Sequence, residues 1–362
     1  MVNREVLESF PMKAEGSYSY NNNSSIQRYG VNRSKTIIEQ AIAEKLDIKQ
    51  ISTANRPFTI ADLGCASGPN TFVAVKNIVG AVELKYEQRP EFLVYFNDHV
   101  TNDFNTLFRS CIASNKQYFM SAAPGSFHGR LFPKASLHFV HCSFSLHWLS
   151  MVPNELLDQT SPAWNKGRIT YGNAPNEVVM AYSKQFAKDM TSFLNARAEE
   201  VVRGGLMVLL LSYTAGEIRS SLHGFVGIMD LMGSCLLDMA KLGLLSEAGV
   251  DSFNLPIYLT TIKEVRELIK HNGHFSIENI EPLIRMVAPD AEILVTHLRA
   301  AMEGVFKEHF GNEIMDEFFK RLVKKVAASS ILPVGNIVPG ELCIILQRKF
   351  ALRMLCSTQD VV

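Results

Sequence analysis

The sequence predicts an α/β fold, in which a mostly parallel sheet carries a mainly helical insertion before its last strand. Short apolar runs alternate with helical patterns up to residue 212, which is typical of a parallel sheet. Helical periodicity then dominates, and strand character returns at 341–346. We therefore expect four regions: an N-terminal lid and α/β core (1–212), a helical cap (213–335), a return to the core sheet (336–350) and a tail (351–362).

Each element is predicted from its apolar pattern and the residues that bound it. The core strands are expected at 58–63, 92–96, 118–122, 137–142 and 206–212. Helices are expected at 32–46, at 71–87, after 104 and at 178–202. Gly204 and Gly205 would cap the last of these helices. In the cap, apolar periodicity predicts helices within 225–242, 261–270, 291–309 and 313–327.

Composition excludes several classes of protein. Lys plus Arg and Asp plus Glu both total 36, so the formal net charge is zero, which argues against nucleic acid as the main partner. The most apolar run, 206–211, is too short to span a membrane. The six cysteines form no CxxC pair and indicate reduced thiols in a cytoplasmic protein, not a disulfide framework. No metal site is expected.

The loop from Asp62 to Asn70 is the first candidate binding element. An acidic residue ends the first strand, and Gly64 and Gly68 bracket the turn into the next helix. Their G-x-x-x-G spacing is looser than the loop that a dinucleotide pyrophosphate requires. It suits S-adenosylmethionine (SAM), which has no phosphate, and Asp98 at the next strand end could accept both ribose hydroxyls. The loop alone is also compatible with a structural turn or another nucleotide-type ligand.

Ordered motifs stand along the chain at 12–13, 19–27, 62–70, 96–105, 124–133, 147–153, 165–167, 251–256 and 308–311. They resemble those of the plant SABATH carboxyl methyltransferases, and the resemblance covers residues 12–349. It implies a Rossmann-like SAM-dependent methyltransferase core with a mainly helical cap over the active site. The SAM contacts that it implies are Lys13, Ser24 and Asn70 at the methionine carboxylate, Asp62 at the amino-acid end, Asp98 at the ribose, His99 in the adenosine pocket, and Ser126 with Phe127 at the adenine.

The same resemblance implies that Gln27 and Trp148 are the catalytic pair, donating N–H groups to a substrate carboxylate. A carboxylic acid is ionised at neutral pH, so methyl transfer needs alignment and no general base. The expected substrate pocket comprises Tyr20, Gln27, Phe144, His147, Trp148, Met229 and Leu298. Without the resemblance, Gln27 could equally be a polar residue at a helix start, Trp148 a core residue and Ser126 a turn cap.

Two segments, 97–100 and 141–148, are most similar to the loganic acid methyltransferases, with the farnesoic acid enzymes a near second. His147 would then hydrogen-bond an oxygenated terpenoid acid. Phe144 stands where many relatives have Tyr, and Met229 stands where a polar pocket residue is expected. We therefore expect the acceptor to be an iridoid acid such as loganic acid, a less oxygenated terpenoid acid, or a related alkaloid acid.

Two other functions are compatible with the sequence. A branch of the family N-methylates xanthines, so a xanthine-type N-methyltransferase is one alternative. A non-catalytic protein that binds SAM or a terpenoid is the other, although all the expected cofactor positions are present. The family is often dimeric, and a homodimer is therefore expected.

Overall fold

The computed structural model of the chain describes residues 11–51, 56–86, 89–112, 117–214, 224–285, 290–329 and 338–350. The expected C-terminal tail lies outside the described residues. Seven strands form one sheet in the order β3-β2-β1-β4-β5-β7-β6. They are β1 (Phe58–Leu63), β2 (Phe92–Asp98), β3 (Phe119–Pro124), β4 (Leu137–Ser143), β5 (Val201–Ser212), β6 (Phe275–Arg285) and β7 (Val338–Arg348).

The first five strands are parallel, and β7 runs antiparallel between β5 and β6. The order reverses between β1 and β4, so the crevice where α/β folds bind ligands lies at their carboxyl ends. The described helices are α1 (Tyr20–Asn23), α2 (Ser25–Lys45), α3 (Ile48–Ile51), α4 (Pro69–Lys85), α5 (Phe104–Ile112), α6 (Asn176–Glu200), α7 (Phe225–Lys241), α8 (Glu247–Asp251), α9 (Ile262–Asn272), α10 (Ala291–Phe310) and α11 (Met315–Ala328), with a short 3-10 helix at Asn154–Leu156.

Helices cover both faces of the sheet, and strand β5 shows how the sequence divides between them. Leu206, Val208 and Leu210 pack on the side of α2 and α4. The alternate residues on the opposite face, Met207 and Leu209 among them, join the core formed with α6 and the cap helices. Successive residues of a strand face opposite sides of the sheet, and in β5 both sets are apolar. The strand is therefore buried on both faces.

Strand β6 is the main difference from the predicted elements. It lies within the range expected to form the cap, yet it pairs with β7 and forms an edge of the sheet. Two register shifts, at Ile277/Asn279 and Leu283/Ile284, interrupt its pairing and hide the alternation that predicts a strand. Pro282 is tolerated because an edge strand leaves one row of amides unpaired.

Gly204 and Gly205 do not cap a helix, contrary to the prediction. Helix α6 ends at Glu200, and both glycines lie inside β5. The register between β4 and β5 shifts near this point. A Cβ on Gly205 would lie 2.8 Å from Val201 Cγ1 and 2.9 Å from the His138 carbonyl oxygen. The pair therefore accommodates an irregularity in the sheet, which leaves no room for a side chain.

Helices α7, α8, α10 and α11 pack mainly on one another, and α10 also packs on α1 in the N-terminal segment (residues 11–27). Phe306 of α10 contacts Phe253 after α8 and Phe318 of α11, with ring centroids 5.0 and 4.9 Å apart. Helix α9 packs instead on α6 and β6. The cap expected from the sequence thus contains helices that approach the carboxyl edge together with one helix and one strand that extend the core. Its predicted bounds, 213 and 335, remain a prediction.

We predict opposite effects of Ala at two helical glycines. A Cβ on Gly30 in α2 would lie 2.6 Å from Phe144 Cζ and 2.7 Å from Glu341 Oε2, whereas Gly80 in α4 has nothing within 4 Å. Gly30→Ala should lower the free energy of unfolding by about 1–3 kcal/mol through overpacking. Gly80→Ala should raise it by about 0.4–1 kcal/mol by restricting the unfolded chain. Urea unfolding measures both, and equal stability of the two variants would contradict the expected crowding at Gly30.

Candidate active site

A cavity of about 360 Å³ lies at the carboxyl ends of β1 to β4. Its volume falls within the range of small-molecule sites, about 300–1,000 Å³. Its walls come from the N-terminal segment, from the ends of these strands and from the loops that follow them. The lining residues are Met12, Tyr20, Gly64, Ala66, Asp98, His99, Gly125, Ser126, Phe127, His128, Ser143, Phe144, Ser145, Trp148, Ser150 and Met151.

The loop after β1 is held by the end of β2. The Gly64 amide donates to the Asn97 carbonyl oxygen over 2.9 Å. The Ala66 amide donates to Asp98 Oδ2 over 2.7 Å, and Asn102 Nδ2 donates to the Ala66 carbonyl oxygen over 3.0 Å. These bonds keep Ala66 at a φ of 52°, a conformation that non-glycine residues rarely adopt. The loop backbone is therefore fixed against the cavity.

The two glycines of this loop permit close approach of neighbouring segments. Gly64 has a φ of 78°, and a Cβ there would lie 2.0 Å from Ser145 Oγ. A Cβ on Gly68 would lie 2.1 Å from Asn21 Oδ1. The loop thus contacts the segment after β4 on one side and α1 on the other. This packing explains both glycines of the G-x-x-x-G pattern.

Asp98 combines structural and ligand-binding capacity. Besides the Ala66 amide, it accepts the His99 amide at Oδ1 over 2.7 Å. Each carboxylate oxygen keeps lone-pair capacity, so Asp98 can still accept two neighbouring hydroxyl groups in the cavity. Burial raises the pKa of Asp98. Burial, followed by the charges of Asp98 and Asp62, also raises the pKa of Tyr20 well above its usual range.

The N-terminal segment brings two of the expected cofactor residues together. Asn70 Nδ2 donates to Ser24 Oγ over 2.9 Å, and Arg28 Nε donates to Asn70 Oδ1 over 3.0 Å. Arg28 therefore determines which amide atom of Asn70 faces Ser24. Lys13 is exposed, and its carbonyl oxygen accepts the Tyr20 amide over 2.8 Å. The Ser24 hydroxyl, the Asn70 amide and the basic side chain of Arg28 fit the carboxylate of an amino-acid moiety, and a contact of Lys13 with SAM remains a prediction.

Asp62 occupies a different place from the other expected cofactor residues. It is buried below the loop and is not part of the cavity wall. The Thr71 hydroxyl donates to Oδ2, and His141 Nδ1 lies 2.7 Å from Oδ1. Both carboxylate oxygens therefore already bind groups of the chain, joining β1 to α4 and β4. Its contact with the amino-acid end of SAM remains a prediction.

Ser126 and Phe127 line the cavity on a loop that a buried ion pair holds in place. Arg197 donates to the carbonyl oxygens of Phe127 and Gly129, over 2.9 and 2.8 Å. Glu200 accepts the Phe132 amide over 2.9 Å and pairs with Arg197 Nη2 over 2.7 Å. Both charged side chains are 0% exposed. Their hydrogen bonds end on the loop that carries the expected adenine-binding residues.

The expected substrate residues divide into three groups. Tyr20, Phe144 and Trp148 line the cavity, and Phe144 has a φ of 56°. His147 is buried beside Trp148, and burial lowers its pKa to about 4. Its Nδ1 is buried without a hydrogen-bond partner. A neutral imidazole with an unpaired nitrogen can bind a polar group of a ligand.

Gln27, Met229 and Leu298 lie outside the cavity wall as the described residues form it. Gln27 contacts the cap, because its Nε2 lies 3.2 Å from His297 Nε2. Met229 and Leu298 are fully buried in the core that includes the cap helices. A substrate contact of either residue therefore stays a prediction.

Sequence reasoning missed several cavity residues. Ser143, Ser145, Ser150 and Met151 all line the cavity, and they lie in or beside motifs that were recognised only through Phe144, His147 and Trp148. Their position at the end of β4 is the signal that could have found them. His297 had no such signal, because its contact with Gln27 joins positions 270 residues apart.

Two absences complete the description of the site and its surroundings. Across the described ranges, no three His, Cys, Asp or Glu side chains are grouped as ligands of a metal ion. No helix in those ranges has both the length and the apolar character required to cross a bilayer.

The sheet order, the crevice between β1 and β4 and the acid at the end of β2 define a Rossmann-like enzyme with a nucleoside-type cofactor site. The family model described as "SAM dependent carboxyl methyltransferase" matches residues 8–349. The chain belongs to this family, the SABATH methyltransferases. It is therefore a methyltransferase that uses SAM as its cofactor.

Relatives with different acceptors share this similarity. Loganic acid O-methyltransferase of Catharanthus roseus is 43% identical over 330 residues, covering 88% of this chain and 89% of the relative. Paraxanthine methyltransferase 2 of Arabidopsis thaliana is 39% identical over 345 residues, covering 92% and 96%. A solved structure of loganic acid methyltransferase with SAH superposes with a TM-score of 0.89 at 41% identity, covering 95% of this chain and all of that one.

We predict that His147 makes stability depend on pH. In the unfolded chain a His titrates near 6.5, but in the folded protein the pKa of His147 is about 4. Between these values only the unfolded chain binds the proton, so the free energy of unfolding falls as pH is lowered from about 6.5 to 4, by roughly 3 kcal/mol. His147→Phe should remove this contribution, whereas the same change at exposed His271 should not. Urea unfolding at several pH values measures it, and parallel pH profiles for wild type and His147→Phe would contradict it.

We predict that Glu200→Gln weakens both the fold and the cofactor site. It leaves the Arg197 charge buried without its partner, which should lower the free energy of unfolding by about 3–5 kcal/mol and weaken SAM binding through the 126–132 loop. Glu199→Gln is the matched control, because Glu199 is 52% exposed and pairs with Arg130 at the surface, where such pairs contribute about 0–1 kcal/mol. Chemical unfolding and calorimetry of SAM binding test both variants, and equal effects would refute the role of the buried pair.

Proposed function

We propose that the protein transfers the methyl group of SAM to the carboxylate of a small terpenoid acid, giving a methyl ester. The observation that carries this proposal is a pair of neutral polar side chains at the cavity. Trp148 lies in the cavity wall and buried His147 is beside it, and we expect Gln27, on α2, to supply the second donor. The similarity to an enzyme named for loganic acid agrees with this acceptor class.

The donor types suit a carboxylate better than a neutral nitrogen acceptor. An indole N–H and a primary amide N–H both donate hydrogen bonds, and a carboxylate has two oxygens that accept them. Because the acid is ionised at neutral pH, no group of the protein needs to remove a proton. Gln27 and Trp148 would then hold the carboxylate so that one oxygen faces the methyl group.

Methyl transfer itself needs alignment and exclusion of water. SAM supplies an electrophilic methyl group on its sulfonium. One carboxylate oxygen would form the new bond to the methyl carbon as the carbon–sulfur bond breaks, and the electron pair of the broken bond would stay on sulfur. No proton moves. The chain's contribution is to fix the two reactants in line, which is catalysis by proximity and orientation, and to surround them with Phe144, Phe127 and Met151.

His147 supports an oxygenated acceptor in particular. Its Nδ1 is buried without a partner, and burial holds the ring neutral at pH 7. A buried polar atom without a partner has a free-energy penalty, which a hydroxyl or carbonyl group of the acid would relieve. Phe144, in the cavity wall, offers only apolar surface. Together they favour an acid with one polar end beyond its carboxylate and an otherwise apolar body.

The acceptor is tested with a panel of acids. Purified protein is incubated with labelled SAM and loganic, 7-deoxyloganic, farnesoic, salicylic or indole-acetic acid, and with paraxanthine as the nitrogen acceptor. We predict that the terpenoid acids give methyl esters with the highest kcat/KM, identified by mass spectrometry. No preference for terpenoid acids would contradict the substrate class, and methylation of paraxanthine alone would favour N-methylation.

The donor pair is tested by Gln27→Ala and Trp148→Phe. Each change removes one hydrogen bond to a charged group, so each should lower kcat/KM for the accepted acid by about ten- to a hundredfold. Gln40→Ala is the control, since Gln40 lies on the same helix but is exposed and bonds Glu44. Unchanged turnover by Gln27→Ala would remove the carboxylate role of Gln27.

We also propose a homodimer and a cytoplasmic location. The family resemblance supports the dimer. The five cysteines that the structure describes are free and buried, which supports a reducing compartment. Light scattering on the purified protein and microscopy of a fluorescent fusion in plant cells test the two proposals.

A further inference from the structure

The hydrogen bonds of Gln27 extend beyond the proposed donor pair to a histidine of the cap. His297 lies on α10 and is 8% exposed. Its Nδ1 is 3.1 Å from the Asn23 carbonyl oxygen, and its Nε2 is 3.2 Å from Gln27 Nε2. The His297 ring therefore contacts the N-terminal segment at two residues, Asn23 and Gln27.

These two contacts fix the tautomer of a neutral His297. A carbonyl oxygen only accepts hydrogen bonds, so Nδ1 must carry the hydrogen that faces Asn23. Nε2 of the neutral ring is then an acceptor. Only the NH₂ group of Gln27 can donate to it, which determines which way the carboxamide points. One N–H of Gln27 is used by His297, and the second remains available to another acceptor.

Further contacts hold helix α10, which carries this ring, against the N-terminal segment. Arg299, two residues further along, lies 3.8 Å from the centroid of the Tyr18 ring. Arg299 is itself paired with Glu303 over 2.8 Å and with Asp316 over 2.6 Å. The N-terminal segment therefore contacts α10 on both sides of α1. The position of His297 relative to Gln27 is set by these contacts as well as by its own hydrogen bonds.

We propose that His297 is a positioning residue that holds the Gln27 amide with an N–H directed at the acceptor carboxylate. This inference rests on the proposed carboxylate function of Gln27. Without an acceptor at Nε2 of residue 297, the amide can rotate by half a turn and present its carbonyl oxygen to the acid. Two negatively polarised oxygens would then face each other, and the carboxylate would lose its alignment.

The test is a double-mutant cycle on the acid that the wild-type enzyme methylates. His297→Phe keeps a ring and removes both nitrogens, and should lower kcat/KM about tenfold or more. It should also weaken binding of the acid in the presence of S-adenosylhomocysteine, with SAM affinity changed less than about twofold. His297→Gln restores an acceptor to Gln27 and should recover much of the loss. In the Gln27→Ala background, His297→Phe should have no further effect.

His309→Phe is the matched control, because His309 lies on the same helix and its hydrogen bonds go to Ser252 and Gly249 of the α8 region. It should leave acid binding unchanged. Two results would overturn the role of His297 and leave the proposed function standing. One is full additivity of His297→Phe and Gln27→Ala, and the other is no effect of His297→Phe on an enzyme that Gln27→Ala impairs. If the wild-type enzyme methylates no acid, or if Gln27→Ala is fully active, the proposed function fails first. Calorimetric SAM binding by each variant shows that it is folded.

Discussion

The hydrogen bonds at the end of β2 are the interaction on which the site depends. Asn97 and Asp98 hold the Gly64–Ala66 backbone through the main chain and the carboxylate. Asn97 Nδ2 also donates to the Ala123 and Gly125 carbonyl oxygens, over 2.6 and 2.9 Å. Two residues therefore join the ends of β1, β2 and β3. Because the parallel strands end at one edge, fixing these ends fixes the floor of the cavity.

Other walls of the cavity are supported from behind by polar groups that do not enter it. The Arg197–Glu200 pair holds the 126–132 loop, and Asp62 joins β1 to β4 through His141. Each of these charges is buried and hydrogen-bonded, as a charge in an apolar interior must be. Their bonds restrict the loops to one arrangement, which suits an enzyme that works by holding two reactants in line.

We expect the N-terminal segment and the cap to form the part of the site that discriminates between acceptors. Cofactor contacts are expected from the ends of the core strands and from Lys13 and Ser24, and relatives named for acid and xanthine acceptors are similar over 88% and 92% of this chain. Acceptor contacts are expected from Gln27, His147 and the cap helices. His297 links two of these regions, so under the proposed carboxylate role of Gln27 the cap would affect the donor that faces the acceptor. Acceptor preference can therefore change through α10 while the sheet and the loop after β1 stay the same.

The sequence by itself determined the alternating strands and helices of the core, the glycine loop and the acid at the end of β2. These features are local: a strand buried on both faces is a continuous apolar run, and a tight loop needs its glycines. Tertiary structure decided the rest. An edge strand with two register shifts has no regular hydrophobic period, so the sequence does not predict β6. Gly204 and Gly205 lie at an irregularity in the pairing of β5 with β4, which the sequence of β5 alone does not indicate. The 126–132 loop that Glu200 binds and the histidine that contacts Gln27 are distant in sequence from them, and a hydrogen bond between such positions leaves no pattern in the chain.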